Sequence, residues 1–585
     1  MEKIRPMLFT TLKKYSGAQL MSDVVAGIIV AIIALPLSIA LALASGVGPE
    51  QGIYTAIAAG FVISFLGGSQ VQIAGPTAAF ATIVAGIVAK SGVEGLAVAT
   101  IMAGIILVVM GFCHFGSLIK FIPFTITTGF TSGIAVTIVI GQLKDFFGVT
   151  YPAGMETIET MQKLKAFAAG FGSVNLHAII VGVVCLAILI VMPMITEKIP
   201  GSLVAVIAGI LMVKFLPLHV NTIGDLYTVS NKLPAFRLPV FSYDVIQGSL
   251  SDAFTIAVLA AIESLLSCVV ADGMIGGKHR SNTELVAQGA GNIISALFGG
   301  IPATGAIART AANVKNGGRT PVAGMVHAVV LLLILVVLMP CASWIPMPTI
   351  AAILFMVAYN MCQWRTFVRL TKTAPKSDIA VLVLTFFLTV IFDLVVAIEI
   401  GMLLSCLLFM KRMSDETGVR SWLYVEEVEE QKRKAQEVRK AKKAGKELSV
   451  EEAQLLAAAA EDEEAAMKEQ ARLREIPREL AVYEITGPLF FGAADRINQI
   501  ETREETKCLV LRMRAVPAVD STAMNSMVAL YERCQKNGVT LILSHVNEQP
   551  MRAMEKAGFV DLVGRENFCR NIEEALDHAD KMLEK

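Results

Sequence analysis

The sequence predicts an α-helical membrane protein of about 14 transmembrane segments in a 7+7 inverted repeat, with a cytoplasmic α/β domain at its C-terminal end. Three observations lead to this fold class. Apolar side chains make up 55% of the 585 residues and charged ones only 17%, against about 25% in soluble proteins. Two distant segments repeat the same order of glycines and prolines. After residue 478, the pattern changes to alternating strands and helices.

The membrane domain is predicted at residues 21–412, after a basic, amphipathic cytoplasmic lead-in at 1–20. Its apolar stretches lack the polar faces of soluble helices, and several are shorter than the roughly 20 residues that a spanning helix needs. Cytoplasmic loops of membrane proteins carry an excess of Lys and Arg. An even number of crossings therefore places both termini and four basic clusters inside, and the charge-poor segment 217–245 outside. The clusters lie at 3–14, 278–280, 315–319 and 365–376.

The chain from 413 to 585 is predicted to be cytoplasmic. Residues 413–477 form a linker with a charged insertion at 426–475. This insertion is typical of a solvated helical hairpin or an extended charged helix, and a docking surface for a cytosolic regulator is the alternative. Residues 478–585 are expected to form the small α/β domain. Its strands are predicted at 479–487, 507–513 and 539–546, and its helices at 520–538, 549–559 and 572–584.

An internal repeat is found when the chain is shifted by 231 positions. Residues 59–64 then lie over residues 290–295, and each copy is followed by a glycine pair and by a segment that a proline interrupts. The two interrupted segments are 73–82 and 301–310. An odd number of crossings in each repeat would invert the second copy relative to the first.

Pro76 and Pro302 interrupt these segments, because proline removes a backbone donor and breaks a helix. Irregular backbone at membrane depth is tolerated only where protein or water satisfies it. Two half-helices whose N-termini meet would direct unpaired N–H groups and positive dipole ends at one point, which attracts an anion. The sequence therefore predicts an anion site near the middle of the membrane. Proline kinks that serve packing alone are the alternative.

The motifs around these segments resemble those of the SulP (sulfate permease) family of anion transporters with a C-terminal STAS domain. The resemblance covers almost the whole chain, and it rests on residues 75–77, 261–274 and 291–321 of the membrane domain and on 485–497 and 516–524 of the α/β domain. It implies a gate and a core domain, a homodimer, and a multi-pass protein of the bacterial cytoplasmic membrane.

Glu263 is an isolated acid in the apolar run 259–270. Burial disfavours the charged form of a carboxylate, so such an acid can take up a proton in the working pH range. The resemblance implies that it holds the coupling cation, a proton or sodium, whereas pairing with a basic neighbour is the alternative. Ser264 and Ser267 follow closely, and Ser267 shares a helical face with Glu263. The two serines either line the same cavity or serve helix contacts.

Arg309 lies in the first turns of the second broken helix, where its guanidinium would add positive charge to the helix N-terminus. The resemblance places a basic residue here, close to the substrate, and pairing with a carboxylate is the alternative. The predicted direct donors to the anion are one hydroxyl and five backbone N–H groups of the two broken segments. They belong to Thr77, Ala78, Ala79, Gly305, Ala306 and Ile307.

Leu37 and Leu41 depart from the family pattern in the first membrane helix, where many members carry a glutamine and an aromatic residue. These positions line the pocket in the family, so the pocket is expected to be more apolar here. Leucines favour a carboxylate with a carbon skeleton over inorganic sulfate. The form of residues 36–41 also resembles bacterial members that transport C4-dicarboxylates such as succinate or fumarate.

Thr522 is a candidate regulatory residue in the α/β domain. The turn Asp520-Ser521-Thr522 resembles the phosphoacceptor turn of anti-sigma-factor antagonists, with Thr522 at the acceptor position and Ala523 in place of the usual glycine. A helix N-terminus would stabilise a phosphate there. Ser and Thr in the ordinary structural role of an N-cap are the alternative.

The predicted function is secondary active uptake of a small anion by alternating access, coupled to protons. The substrate is a C4-dicarboxylate or an inorganic oxyanion such as sulfate or bicarbonate. An anion exchanger, a sodium-coupled bicarbonate transporter and an uncoupled channel of the same fold remain open, as does a membrane-anchored STAS sensor. Intact broken segments and an intramembrane acid and arginine argue against the sensor, because idle polar groups in lipid are costly.

Other chemistries find no support in the sequence. The seven histidines show no metal-ligand spacing, and the chain has no Walker loop and no nucleophile elbow. Lys plus Arg and Asp plus Glu are balanced at 50 each, so nothing indicates nucleic acid. We therefore expect no enzymatic activity, no cofactor and no metal, and membrane lipid as the general partner.

Overall fold

The structure is a computed structural model that describes residues 4–117, 123–152, 154–155, 157, 159–196, 200–392, 394–421 and 477–584. These residues form two compact units, Met1–Ser405 and Cys406–Lys585. The first unit is almost entirely helical and the second is α/β.

The described residues of the first half of the helical unit form eight α-helices. They are α1 (Leu8–Thr11), α2 (Gly17–Ala44), α3 (Pro49–Leu66), α4 (Ala78–Phe112), α5 (Phe124–Phe147), α6 (Thr160–Gly170), α7 (Leu176–Ile195) and α8 (Gly201–Phe215). Gly92 interrupts α4 with a φ of 69° and a ψ of −177°, a conformation that glycine alone adopts readily. Residues 89–94 around it are exposed. We therefore count α4 as two segments.

The described residues of the second half form nine α-helices. They are α9 (Ile223–Leu226), α10 (Tyr243–Ile275), α11 (Ser281–Leu297), α12 (Ile307–Lys315), α13 (Val322–Ala342), α14 (Met347–Cys362), α15 (Trp364–Thr373), α16 (Lys376–Ile391) and α17 (Leu394–Glu416). If the short helices α1, α6, α9 and α15 are left out and α4 is counted as two segments, each half contributes seven segments.

The apolar character of these helices agrees with a membrane protein. In the described part of the chain, seven helical stretches of 18 residues or more are apolar enough to cross a bilayer. The longest is α4, with 35 residues, and one stretch, Met347–Thr373, combines α14 and α15. Of the remaining segments, α8, α11, α12 and α16 have 9–17 residues, as the short apolar runs predicted, whereas α3 has 18 and α17 has 23. The fold class predicted from the sequence, a helical membrane protein of inverted repeats with an α/β domain, is confirmed.

The inverted repeat is visible where the two halves meet. A two-residue strand, β1 (Ala74–Gly75), lies between α3 and α4, and its counterpart β2 (Thr304–Gly305) lies between α11 and α12. The two strands pair antiparallel, Ala74 with Gly305 and Gly75 with Thr304. Each repeat thus follows the order helix, glycine pair, short strand, helix, and the antiparallel pairing joins the two interrupted segments directly.

The second unit is built on a five-stranded sheet in the order β3-β4-β5-β6-β7, in which only β3 runs antiparallel to its neighbour. The strands are β3 (Gly418–Ser421), β4 (Leu480–Thr486), β5 (Cys508–Ala515), β6 (Thr540–Ser544) and β7 (Phe568–Cys569). Helices lie at Asp495–Asn498, Ser521–Lys536, Glu548–Lys556, Phe559–Val563 and Ile572–Leu583. Two apolar clusters pack on this sheet, one with Met524, Met527 and Met554 and the other with Ala575 and Leu576.

The three strands and three long helices predicted for this domain are confirmed to within three residues at their ends. The sheet also takes in β3, which the sequence placed in the linker 413–477. The edge strand has only four residues and no apolar alternation, so its sequence carries no strand signal. The charged insertion at 426–475 lies outside the described residues, and it stands in the chain between β3 and β4.

Candidate anion-binding site

Glu263 of α10 joins the two interrupted segments. Its Oε2 accepts a hydrogen bond of 2.9 Å from Thr77 Oγ1, immediately before α4, and lies 3.3 Å from Thr304 Oγ1 of β2. Thr77 belongs to the first repeat and Thr304 to the second. Among the described residues Glu263 has no ion pair, so its contacts here are hydroxyls and not the basic neighbour of the alternative interpretation.

Arg309 is the largest fully buried side chain among the described residues, with 2% of its surface exposed. It lies on the first turn of α12, and its Nη2 donates to the carbonyl oxygen of Pro76 at 2.9 Å. Within the described residues, its Nη1 has no hydrogen-bond partner. The guanidinium therefore reaches from the second repeat to the first and keeps donor capacity for a further acceptor. No carboxylate among the described residues pairs with it.

The backbone donors at the two helix starts are not equivalent. The amide of Gly305 donates to Ser264 Oγ at 3.1 Å, and the amide of Ala306 donates to the carbonyl of Ile73 at 2.9 Å. The expectation that both donate directly to the anion is therefore wrong for this conformation. By position, the first-turn amides of Ala78, Ala79 and Ile307 lack an intrahelical acceptor.

The Thr77 hydroxyl also differs from its predicted role. Its hydrogen is directed to Glu263, so it is committed to the carboxylate and not to the anion in this state. Thr77 is the N-cap residue of α4, and its side chain makes no capping hydrogen bond. Thr77 therefore lies at the start of α4 and also contacts Glu263, so the acid is in direct contact with the candidate anion site.

The two serines after Glu263 lie in the predicted region but in supporting roles. Ser264 is fully buried and fixes β2 through the Gly305 amide. Ser267 is fully buried as well, and its Oγ lies 3.5 Å from Thr310 Oγ1 of α12. Thr310 in turn accepts from the amide of Ile73. Helix α10 therefore holds the start of α12 in place with side-chain hydroxyls.

Leu37 and Leu41 lie on α2, within the continuous apolar cluster that also contains Ala78, Ala79 and Phe80. Leu41 is 2% exposed and Leu37 is half-buried. Both leucines therefore belong to the same apolar core of the membrane domain as the start of α4, and their place on a wall of the site stays a prediction. Ile307 of α12 is 43% exposed.

A second buried acid, which the sequence reasoning did not single out, holds the approach to β1. Glu284 on α11 is fully buried and accepts four hydrogen bonds, from the amides of Gly68 and Ser69 and from Gln72 Nε2 and Gln288 Nε2. In the sequence Glu284 looks like an ordinary acid in the first turn of a helix. Thr304 was missed too, although a threonine beside each proline was a signal available in the two segments.

Thr522 is exposed in the first turn of the helix Ser521–Lys536. The N-cap of this helix is Asp520, whose side chain accepts from the amide of Ala523 at 2.8 Å and from the amide of Phe491 at 2.9 Å. The structural role considered for Ser521 and Thr522 thus falls to Asp520, and the Thr522 hydroxyl lies at the surface.

Replacing Gly75 by alanine tests the packing of Arg309. A Cβ at this position would meet Arg309 Nη1 and lie 3.5 Å from Ala56. Since the guanidinium is fully buried and tied to Pro76, it cannot retreat freely, and overpacking of this kind costs about 1–3 kcal/mol. We expect Gly75→Ala to weaken anion binding about tenfold in calorimetry. Gly86→Ala on α4, where no atom lies within 4 Å of the new Cβ, is the control. Unchanged affinity in Gly75→Ala would show that the guanidinium moves at no cost.

Two interrupted membrane segments that pair across an inverted repeat, with a buried arginine and acid between them, define a membrane transporter of the inverted-repeat class. The sequence profile of the sulfate permease family matches residues 20–385, and that of the STAS domain matches residues 470–575. The chain belongs to the sulfate permease family and carries a C-terminal STAS domain.

Relatives match over nearly the full length. The putative sulfate transporter YvdB of Bacillus subtilis is 36% identical over 575 residues, which cover 97% of this chain and 98% of YvdB. The bicarbonate transporter BicA of Picosynechococcus is 30% identical over 570 residues, which cover 95% of this chain and 94% of BicA. The protein is therefore an anion transporter of this family.

Solved structures share the fold. The transmembrane domain of a cyanobacterium bicarbonate transporter BicA superposes with a TM-score of 0.59 at 28% identity, covering 67% of this chain and 98% of that domain. The murine Slc26a9 anion transporter in the inward-facing state superposes with a TM-score of 0.81, covering 98% of this chain and 94% of that one. At 18% identity, the latter likeness concerns the fold alone.

Proposed function

We propose that the protein is a secondary active transporter that takes up a small anion together with protons. The anion binds between the starts of α4 and α12, and Glu263 carries the proton. The contact that supports this proposal is the hydrogen bond from Thr77, at the start of α4, to Glu263. Through this contact, the protonation state of the acid changes the donors that an anion meets.

The coupling follows from the number of hydrogens at this contact. While Glu263 is ionised, Thr77 donates its single hydroxyl hydrogen to the carboxylate, and the negative charge of the carboxylate repels an anion. Once Glu263 is protonated, its own O–H donates to Thr77 Oγ1, and the Thr77 hydrogen is free to turn towards the anion. Proton and anion therefore favour each other's binding. Arg309 Nη1 and the first-turn amides of α4 and α12 supply the remaining positive potential.

The substrate proposal retains two chemical classes. The relatives YvdB and BicA are named for sulfate and bicarbonate, which favours an inorganic oxyanion. The apolar Leu37 and Leu41 in the cluster beside α4 favour a C4-dicarboxylate. Sulfate or bicarbonate gains nothing from contact with leucine, whereas the methylene groups of succinate do.

The remaining proposals concern topology and assembly. We propose that the protein is a homodimer in a bacterial plasma membrane, with both termini in the cytoplasm. The proposed domain limits are 1–20, 21–412, 413–477 and 478–585, with β3 added to the last domain. Regulation is proposed at Thr522 or at 426–475. Among the described residues, the loops carrying Lys278, Lys315 and Lys372 all lie on one side if successive segments alternate in direction. This agrees with the bias of basic residues towards the cytoplasm.

Purified protein in liposomes tests the function. Uptake of labelled sulfate, bicarbonate and succinate is measured at two external pH values, with and without sodium, and with each anion inside for exchange. We expect accumulation of one of these anions, driven by an inwardly directed proton gradient without sodium. Sodium-dependent bicarbonate uptake would support sodium coupling. Uptake that requires an anion inside the liposomes would support an exchanger. Flux that only dissipates an anion gradient would support a channel.

A further inference from the structure

Helix α15 (Trp364–Thr373) lies between two membrane segments without continuing either of them. Gln363, which ends α14 and begins α15, has a left-handed φ of 44°. At the other end, Ala374 is extended and precedes Pro375. Since both ends turn the chain sharply, α15 is a separate ten-residue helix between α14 and α16, and ten residues are too few to span a bilayer.

One side of α15 is fixed to the protein. At 100° per residue, Phe367 and Leu370 lie on one side of the helix, and both are half-buried. The Phe367 ring packs edge-on against Phe386 of α16, with 5.5 Å between ring centroids. Trp364 and Val368 lie on the adjoining side of the helix, where their side chains are 47% and 39% exposed.

The basic side chains lie beside this exposed apolar edge, further around the helix axis. Arg365, Arg369 and Lys372 share one face of α15, and all three are exposed. The Arg365 guanidinium lies 5.7 Å from the Trp364 ring. The chain has no acid from residue 363 to 377, and among the described residues no ion pair involves these three cations. Within the described residues, the face therefore carries a positive charge that no ion pair neutralises, and the next acid along the chain is Asp378 of α16.

We propose that α15 is a binding site for the headgroup of an anionic phospholipid. Trp364 and Val368 lie against the upper acyl chains, where tryptophan is enriched in membrane proteins. Arg365, Arg369 and Lys372 meet the lipid phosphate. An exposed apolar edge beside a basic stripe matches a helix that lies in the interface plane. The proposed topology, on which the leaflet depends, places this site in the cytoplasmic leaflet.

Charge complementarity favours lipid as the occupant. Basic residues near an anionic bilayer surface are attracted to it, and the exposed tryptophan and valine require an apolar neighbour that a soluble anion does not supply. The competing occupant within the chain is the charged insertion at 426–475, whose glutamates are complementary to the same cations. The experiment below distinguishes the two.

Native mass spectrometry of the full chain measures lipid retention. The protein is delipidated in a neutral detergent and titrated with phosphatidylglycerol or phosphatidylcholine. Three variants are compared with the wild type: Arg365→Gln/Arg369→Gln/Lys372→Gln, the charge-conserving Arg365→Lys/Arg369→Lys, and the control Lys163→Gln/Lys165→Gln on the other short helix α6. A thermal melt of each verifies folding. Because detergent micelles have no sidedness, the result does not depend on the proposed topology or on transport.

We expect the wild type to bind phosphatidylglycerol in preference to phosphatidylcholine, and the triple glutamine variant to bind it about tenfold more weakly or worse. The lysine variant and the α6 control should bind as the wild type does. Equal binding by the triple variant, or equal retention of both lipids by the wild type, would overturn the proposal. Phosphatidylglycerol binding that emerges only after deletion of residues 426–475 would overturn it as well, in favour of the insertion as the occupant.

Discussion

Arg309→Ala is expected to weaken anion binding by roughly 30-fold or more while the purified protein stays folded. The guanidinium is fully buried, its Nη2 holds the Pro76 carbonyl, and its Nη1 has no partner. Truncating a buried charge that faces an opposite charge costs about 2–5 kcal/mol, which corresponds to that factor or more in affinity. Calorimetry with the transported anion measures the loss directly.

Two further variants separate the charge from its structural contact. Arg309→Lys keeps a positive charge but loses the planar pair of donors, so we expect intermediate affinity. Arg319→Ala is the matched control, because Arg319 Nη1 also holds backbone carbonyls, those of Val314 and Gly318, at 2.8 Å each. Near-normal affinity in Arg309→Ala would remove Arg309 from the site. An equal loss in Arg319→Ala would attribute the effect to a loosened α12.

The fold was largely predictable because its signals are local and strong. Apolar runs, the repeat of glycines and prolines and the alternating pattern after 478 each depend on a few neighbouring residues. The break at Gly92 and the edge strand β3 were not predicted, because a single left-handed glycine and a four-residue strand carry little periodic signal. β3 also lies on the far side of the insertion from its partner β4.

That Glu263 and Arg309 lie at the two interrupted segments was predictable, but their hydrogen-bond partners were not. Proline and glycine positions located the helix starts, and isolated charges singled out Glu263 and Arg309. The partner of each polar group depends on tertiary distances, which sequence spacing does not contain. Thr304 contacts Glu263 across 41 residues and Glu284 contacts Gly68 across 216, so neither contact leaves a local pattern. For the same reason, the amides of Gly305 and Ala306 could not be recognised as already bonded.

Glu263→Gln is expected to abolish the pH dependence of net uptake while anion binding survives. A dianion that enters against an inside-negative potential costs about 4.6 kcal/mol at 100 mV, twice the cost of one charge. A cotransported proton offsets part of that cost and adds the pH gradient as a driving force. Glutamine fixes the neutral form of the side chain and retains the hydrogen-bond geometry towards Thr77 and Thr304. It therefore mimics the protonated acid but releases no proton.

Uptake into liposomes as a function of external pH measures this effect, and Glu284→Gln is the matched control. Glu284 is also a buried acid, but it contacts neither Thr77 nor Thr304, so its variant should keep the pH dependence even if uptake slows. In Glu263→Gln we expect a flat pH profile and preserved exchange of internal for external anion, because exchange returns a loaded carrier and needs no deprotonation. If uptake by Glu263→Gln still accelerates as external pH falls, with the profile of the wild type, another group carries the proton. A sodium requirement in the wild type would instead make Glu263 a sodium ligand.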